Sequence, residues 1–264
     1  MCSRFLRILL FVVVAAALAA AQLRVCADPD NLPFSNRAQH GFENQIALVL
    51  ARETHQKLEY EWQRMGRGFV RDVLNKHKCD VVLGVPEGFH PVLTTVPYYR
   101  SIYVFVTRRS TKPHITSFDD PQLKHIKVGV QTASEDYAPP AVALGRRGLV
   151  ANITGFESTG EAASSIVDAV ASKRIGAAVV WGPLAGYFVQ KHHGELTLTP
   201  TPALDPPLLP LAFSISMGVR KGETALCDRL NTLLAENRAE INRILRSYGV
   251  PLLPLSRQIA RSAD

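Results

Sequence analysis

Apolar and polar positions alternate along this chain in short blocks, and their periods assign most of the elements. Leu23-Arg24-Val25-Cys26-Ala27 reads as a buried strand that ends in the turn-rich Asp28-Pro29-Asp30-Asn31-Leu32-Pro33. From about Glu43, Ile46, Leu48, Val49, Leu50 and Ala51 give one apolar helix face, which ends near His55. Leu58-Glu59-Tyr60-Glu61-Trp62 alternates with period two, Phe69, Val70, Val73 and Leu74 mark a short helix, and Cys79 to Gly84 is a strand. This β-α-β-α-β order predicts a mostly parallel, doubly wound sheet.

Tyr98 to Thr107 then predicts a long aromatic strand, followed by a polar connection around Ser110 to Asp120. A second α/β set follows: strand Ile126 to Val130, helix Pro139 to Arg147, strand Ile153 to Phe156, helix Ala162 to Ser172 and strand Ala177 to Trp181. Leu211 to Val219 is another long strand, and Glu223 to Tyr248 is an amphipathic helix with Leu226, Leu230, Leu233, Leu234, Ile241, Ile244 and Leu245 inside. Two α/β sets joined by two long strands predict two lobes with a double crossover, the last helix returning to the first lobe. Residues 22–108 plus 218–264 form the expected first lobe, and 109–217 the second. Ligands of such folds meet the chain at the carboxyl ends of strands.

The first 21 residues change the compartment rather than the fold. Arg4 and Arg7 precede the apolar run Ile8 to Ala21, and Ala19-Ala20-Ala21 offers a small-residue cleavage site before Gln22, so residues 1–21 read as a secretory signal peptide. A fourteen-residue helix would span roughly 21 Å, short of the ~30 Å hydrocarbon core of a bilayer. The mature chain is therefore expected outside the cytoplasm, with no membrane span after cleavage. At 47% hydrophobic and 20% charged residues the composition is globular. Loss of Arg4 and Arg7 takes the formal charge from +7 to +5, and the other basic residues are scattered, so nucleic-acid binding is not expected. A basic surface favours an acidic protein partner.

Three cysteines remain after cleavage. Cys26 and Cys79 sit in strands that a βαβ unit makes parallel and adjacent, and they are either disulfide-bonded or two buried free thiols; Cys227 reads as a small core residue. No metal site is expected: His192 and His193 are adjacent, so their side chains diverge, and Asp119-Asp120 initiates a turn before Pro121. Neither a nucleophile elbow nor a phosphate loop is present, Cys79 lies in an apolar strand, and no cofactor is expected.

In this order and spacing the segments resemble the family 3 extracellular solute-binding proteins. The likeness rests on Val25 to Phe34, Gly41-Phe42-Glu43, Cys79-Asp80-Val81-Val82, Pro97-Tyr98-Tyr99, Lys127-Val128-Gly129-Val130-Gln131 and Ala177 to Trp181. It implies the type II periplasmic-binding-protein fold. A narrower set is similar to the quinoprotein-dehydrogenase-associated branch, which includes J-type accessory proteins of periplasmic PQQ-dependent methanol dehydrogenases. Its residues are Ala27 to Ser35, Arg67-Gly68-Phe69-Val70-Arg71, Cys79 to Pro86, Val180 to Tyr187 and Tyr248-Gly249-Val250-Pro251. That resemblance implies a non-catalytic role supporting a quinoprotein alcohol dehydrogenase in the periplasm. The alternative is the substrate-binding component of an ABC transporter for a small organic solute other than a standard amino acid.

Amino-acid receptors of the family clamp the ligand's carboxylate with an Arg and pair its ammonium with an Asp. Here Gly88 stands in the register of that Arg and Gly182 in the register of that Asp, which argues against a free amino acid as cargo. Arg100 or Arg64 could supply a substitute cation. Periplasmic dehydratases of prephenate-like acids share the fold and need similar cations, so the missing Arg counts against catalysis too. The expected cleft lining is Asp28, Asn31, Phe34, Pro86, Glu87, Tyr98, Tyr99, Gln131, Thr132, Trp181 and Gly182, all just past strand ends. Asp28 could instead cap backbone amides of its own turn, Phe34, Tyr98 and Trp181 could instead pack between lobes, and Arg67 and Arg71 read as a solvated face.

Overall fold

The computed structural model describes residues 22–133 and 136–255, so the signal peptide expected at 1–21 lies outside the described residues. Strand β1 (Gln22–Ala27), helix α1 (Phe42–Glu53) and strand β2 (Lys57–Trp62) follow the predicted periods. The short apolar segment after them is a single π-helical turn, Val70–Leu74, which leads into β3 (Val81–Pro86). β1 pairs in parallel with both β2 and β3. The long strand β4 (Tyr99–Arg108) crosses to a second set: β5 (Val128–Ala133), α2 (Pro139–Gly145), β6 (Ile153–Glu157), α3 (Ser165–Ala171) and β7 (Ala177–Trp181). β5 pairs in parallel with β6 and β7. Helix α4 (Gly182–Gln190) and strand β8 (Leu196–Pro200) complete that set; β9 (Ala212–Val219) returns, and α5 (Thr224–Glu236) and α6 (Arg238–Ser247) follow.

The strand order β6-β5-β7-β4-β9-β3-β1-β2 makes one curled sheet out of two α/β lobes. The two crossover strands do the joining. β4 pairs with β9 through residues 99–102 and with β7 and β8 through 103–108. β9 continues from β4 onto β3. Alternation along β4 sends Val104 and Val106 into one core, with Ile166, Val180 and Leu184, and Phe105 into another, with Phe118, Leu123 and Leu144. The second lobe is thus covered on both faces. The first lobe's core joins Phe42, Ile46 and Leu50 of α1 to Leu83, Met217, Ile241 and Leu245, so the final helix does return to it.

Four elements depart from the sequence reading. α4 and β8 were not predicted. The single helix expected over 223–248 breaks at Asn237, whose backbone N–H and side-chain Nδ2 both donate to the Leu233 carbonyl (3.0 and 2.9 Å). Its side chain competes with the helical ladder and ends α5. The strand expected from Ile126 starts at Val128, because Ile126 instead packs against Gly176, where an added Cβ would lie 2.6 Å from it.

The cysteine question resolves to a bond: Cys26 and Cys79 form a disulfide with Cα atoms 5.4 Å apart. An ion cluster surrounds it. Asp80 takes a bidentate pair from Arg24 (2.7 and 2.9 Å) and a third bond from Arg220 (3.0 Å), while Arg220 also reaches the carbonyls of Leu74 and Cys79. Burial opposes ionisation of Asp80, but the two guanidiniums outweigh it and hold the carboxyl below its usual range. The disulfide spans 53 residues of sequence, so on loop entropy its removal should cost about 4 kcal/mol. Urea unfolding of Cys26→Ser/Cys79→Ser against the parent chain should show that loss, and an unchanged midpoint would contradict it.

Candidate functional site

On the first lobe, the carboxyl end of β1 carries Asp28, whose side chain is buried with both oxygens engaged. Oδ1 accepts the Asp30 N–H (2.9 Å) and Oδ2 the Met65 N–H (2.7 Å). Asp28 therefore pins two loops together. Ser35 Oγ donates to the Asp28 carbonyl (2.8 Å), and Asn31 pairs with Ser35 in a two-residue hairpin. Phe34 packs edge-on against Phe42 (5.3 Å), which meets Tyr99 at 6.1 Å, and Tyr99 meets Tyr98 at 5.0 Å. Edge-to-face stacks of this kind add directional attraction to apolar burial. Tyr98 Oη accepts the Gly84 N–H (3.2 Å).

Behind the tyrosines lies the Glu43 carboxyl, 6% exposed at the start of α1. Gly84 has φ +76°, and a Cβ there would stand 2.3 Å from Glu43 Oε1, so the glycine is required twice over. Burial, and secondarily the Asp28 charge, push the Glu43 carboxyl up to about 8. The Tyr98 and Tyr99 hydroxyls are likewise held well above 10, first by burial and then by Glu43. Pro86, the last residue of β3, and Glu87 just beyond it are exposed, and the Glu87 N–H donates to the Ser214 carbonyl (2.9 Å). Gly88 has φ +72° and open space around the position of a Cβ.

On the second lobe, Gln131 Oε1 accepts the Trp181 N–H, and the Thr132 methyl packs over Gly155. The Trp181 ring sits 5.3 Å from Tyr103 and 5.9 Å from Phe213, one residue from each crossover strand, and packs against the first lobe's core. The aromatics expected to await a ligand thus also fill the seam between the lobes. Gly182 requires a correction. It is the first residue of α4, and a Cβ on it would meet the Ile102 carbonyl at 2.5 Å and Ser101 Oγ at 2.9 Å. It faces the crossover strand rather than the cleft. Arg100 is also placed elsewhere, beside α6.

The sequence reading missed what holds the seam. Gly186 and Gly249 meet backbone to backbone: a Cβ on Gly186 would fall 1.9 Å from the Gly249 carbonyl oxygen. Next to them the Tyr187 and Tyr248 rings stack at 5.8 Å, and Tyr248 also packs on Phe42 (5.9 Å) and donates to the His40 carbonyl (2.7 Å). The strap beyond is tied to β4, since Ser101 Oγ donates to the Pro251 carbonyl (2.6 Å) and the Leu253 N–H to the Arg100 carbonyl (2.9 Å). Across the cleft mouth, Asp30 abuts Gly160, where a Cβ would lie 3.0 Å from Asp30 Oδ2. A signal for the main clasp did exist in the sequence, as Gly186-Tyr187 and Tyr248-Gly249 are mirrored small–aromatic pairs.

The sequence profile of the bacterial extracellular solute-binding proteins, family 3, matches residues 23–251. The chain belongs to that family. Among its relatives, protein MoxJ of Methylorubrum extorquens strain AM1 is 34% identical over 90% of this chain and 83% of its own length. The crystal structure of MxaJ from Methlophaga aminisulfidivorans superposes with TM-score 0.80 at 29% identity, over 88% of this chain and all of that one. The periplasmic binding protein XoxJ of Methylobacterium extorquens AM1 gives 0.74 at 36% identity, with the same coverage. The expected fold, the type II arrangement of this family, is therefore the one present. Among the described residues no helix is long and apolar enough to cross a membrane.

Two tests follow from this geometry. Between pH of about 4.5 and about 8 the unfolded chain has released the Glu43 proton while the folded chain keeps it. Stability therefore falls as pH rises through that window, by an amount on the order of a few kcal/mol. Glu43→Gln should raise the melting temperature at pH 8 and leave it nearly unchanged at pH 5; an equal gain at both would contradict the assignment. Gly186→Ala should separate the clasp at a cost of about 2–4 kcal/mol, read by chemical unfolding, whereas full stability would remove the clasp from the account.

Proposed function

We propose that this chain is an exported, non-catalytic binding-type protein that supports a periplasmic PQQ-dependent alcohol or methanol dehydrogenase. In this reading residues 1–21 are its signal peptide, 22–108 plus 218–264 the first lobe and 109–217 the second. The observation that carries it is Gly182, buried against the Ile102 carbonyl with no room for the carboxylate that would pair a ligand's ammonium. Gly88 adds nothing to hold the other end. Losing two charge-assisted contacts, each worth about 1.5–3 kcal/mol, leaves a free amino acid poorly held.

The relatives named MoxJ, MxaJ and XoxJ support the same reading, as does the +5 charge expected after cleavage, which favours an acidic partner. The groups in the cleft wall favour binding over catalysis. Asp28 is occupied by two backbone amides, and Tyr98 by a third. The partner's segment would meet the rim formed by Asn31, Phe34, Glu87, Gln131, Thr132 and Trp181. Deleting the gene should lower periplasmic alcohol oxidation, and the tagged protein should retain the dehydrogenase on a column. Normal oxidation together with no association would overturn the proposal.

A second reading is a transporter-linked receptor for a small organic solute. It is favoured by a separate, mostly apolar cavity of about 550 Å³ beside β3, lined by Met65, Phe69, Val85 and Phe89 among others. A metabolite thermal-shift screen separates the two, because ligand at 100 times its Kd adds about 2.7 kcal/mol. A saturable hit that raises the melting temperature would favour the receptor.

A further inference from the structure

A cavity of about 670 Å³ lies between α6, the start of β4 and the strap that follows α6. Arg238, Asn242 and Arg246 recur at four-residue intervals, so they share one face of α6, and Arg100 enters from β4. Among the described residues no carboxylate lines this cavity, and the three arginines make no ion pair. Some guanidiniums elsewhere are paired, such as Arg24 and Arg220 with Asp80, Arg52 with Glu240, and Arg147 with Asp119 and Asp205, and others are not; what sets Arg100, Arg238 and Arg246 apart is that they converge on one cavity. Leu253 and Leu255 supply an apolar wall.

We infer that this cavity binds a small organic di- or tricarboxylate. Guanidinium forks match carboxylates two bonds at a time, so three of them around one concavity call for more than one anionic group. Spacing points the same way. Arg238 and Arg246 are eight residues apart on α6, about 12 Å along the axis. A body carrying separated carboxylates can meet both of them and Arg100, which a single inorganic ion does poorly. The volume falls in the small-molecule range of about 300–1,000 Å³, and the leucine wall suits a carbon skeleton.

Such a ligand would also tie parts of the hinge together. Arg100 lies on a crossover strand whose carbonyl at that residue already holds the Leu253 N–H, and α6 ends one residue before Tyr248 of the clasp. Occupancy would therefore brace the strap against β4 from behind Tyr98 and Tyr99, which line both this cavity and the cleft wall.

Calorimetric titration of the mature chain with tricarballylate and citrate tests this, with inorganic phosphate as the comparison. Tricarballylate and citrate should bind saturably, raise the melting temperature and weaken as salt is added. Arg238→Gln/Arg246→Gln should weaken both at least tenfold, and Arg100→Gln alone should do so to a lesser degree. The circular dichroism and unliganded melting temperature of the variants serve as the folding control. Absence of saturable binding would overturn the inference, as would equal affinity in the double variant. Phosphate binding as tightly as the tricarboxylates would reassign the cavity to a single inorganic anion.

Discussion

The architecture depends on a contact that excludes side chains altogether. Gly186 of the second lobe and Gly249 of the strap touch backbone to backbone, close enough that a methyl group on Gly186 would overlap the Gly249 carbonyl. Because the backbones approach so closely, Tyr187 and Tyr248 can stack face to face beside them, and Tyr248 can reach on to Phe42 and the His40 carbonyl. Through Phe42 the contact extends to Phe34 and Tyr99, which form the first lobe's wall of the cleft. Seam, strap and cleft wall are one packed unit.

A solute receptor of this fold works by letting two lobes part and close on cargo. Here the crossover strands carry that geometry, but Trp181 is wedged between Tyr103 and Phe213, and the strap is hydrogen-bonded to Ser101 and Arg100 on β4. The charged anchors that would recognise an amino acid are replaced by a solvent-facing glycine at 88 and a buried one at 182. What remains is a braced frame whose rim sets Asn31, Glu87, Gln131 and Thr132 beside the Phe34 and Trp181 rings.

Much of the fold was legible because strand and helix periods are local. β1, β2, β3, β4, β6, β7 and β9 lie within a residue or two of where alternation and apolar runs put them. The misses have local causes as well. α4 begins Gly-Pro and is apolar on nearly all sides, so no 3.6-residue period stands out, whereas β8 does alternate as Leu196-Thr197-Leu198-Thr199 but over only five residues that end at Pro200. The break at Asn237 depends on a side chain choosing a backbone carbonyl, which periodicity cannot register. At the site, residue identity was legible and direction was not. Gly182 reads as a missing carboxylate in sequence, while in space it is a packing contact. Glu43 belongs to a recognised motif, but only burial beside Gly84 and the tyrosines reveals that its carboxyl is kept protonated near neutrality.

The proposed role rests on two lobes clasped into one body that does not open and close on an amino acid. Pulsed electron-spin distance measurement between labels on exposed Lys76 and Lys124, one on each lobe, tests it most directly. The account predicts one narrow distance that a mixture of free amino acids leaves unchanged. A broad or two-peaked distribution that collapses to the short distance when amino acids are added would contradict it.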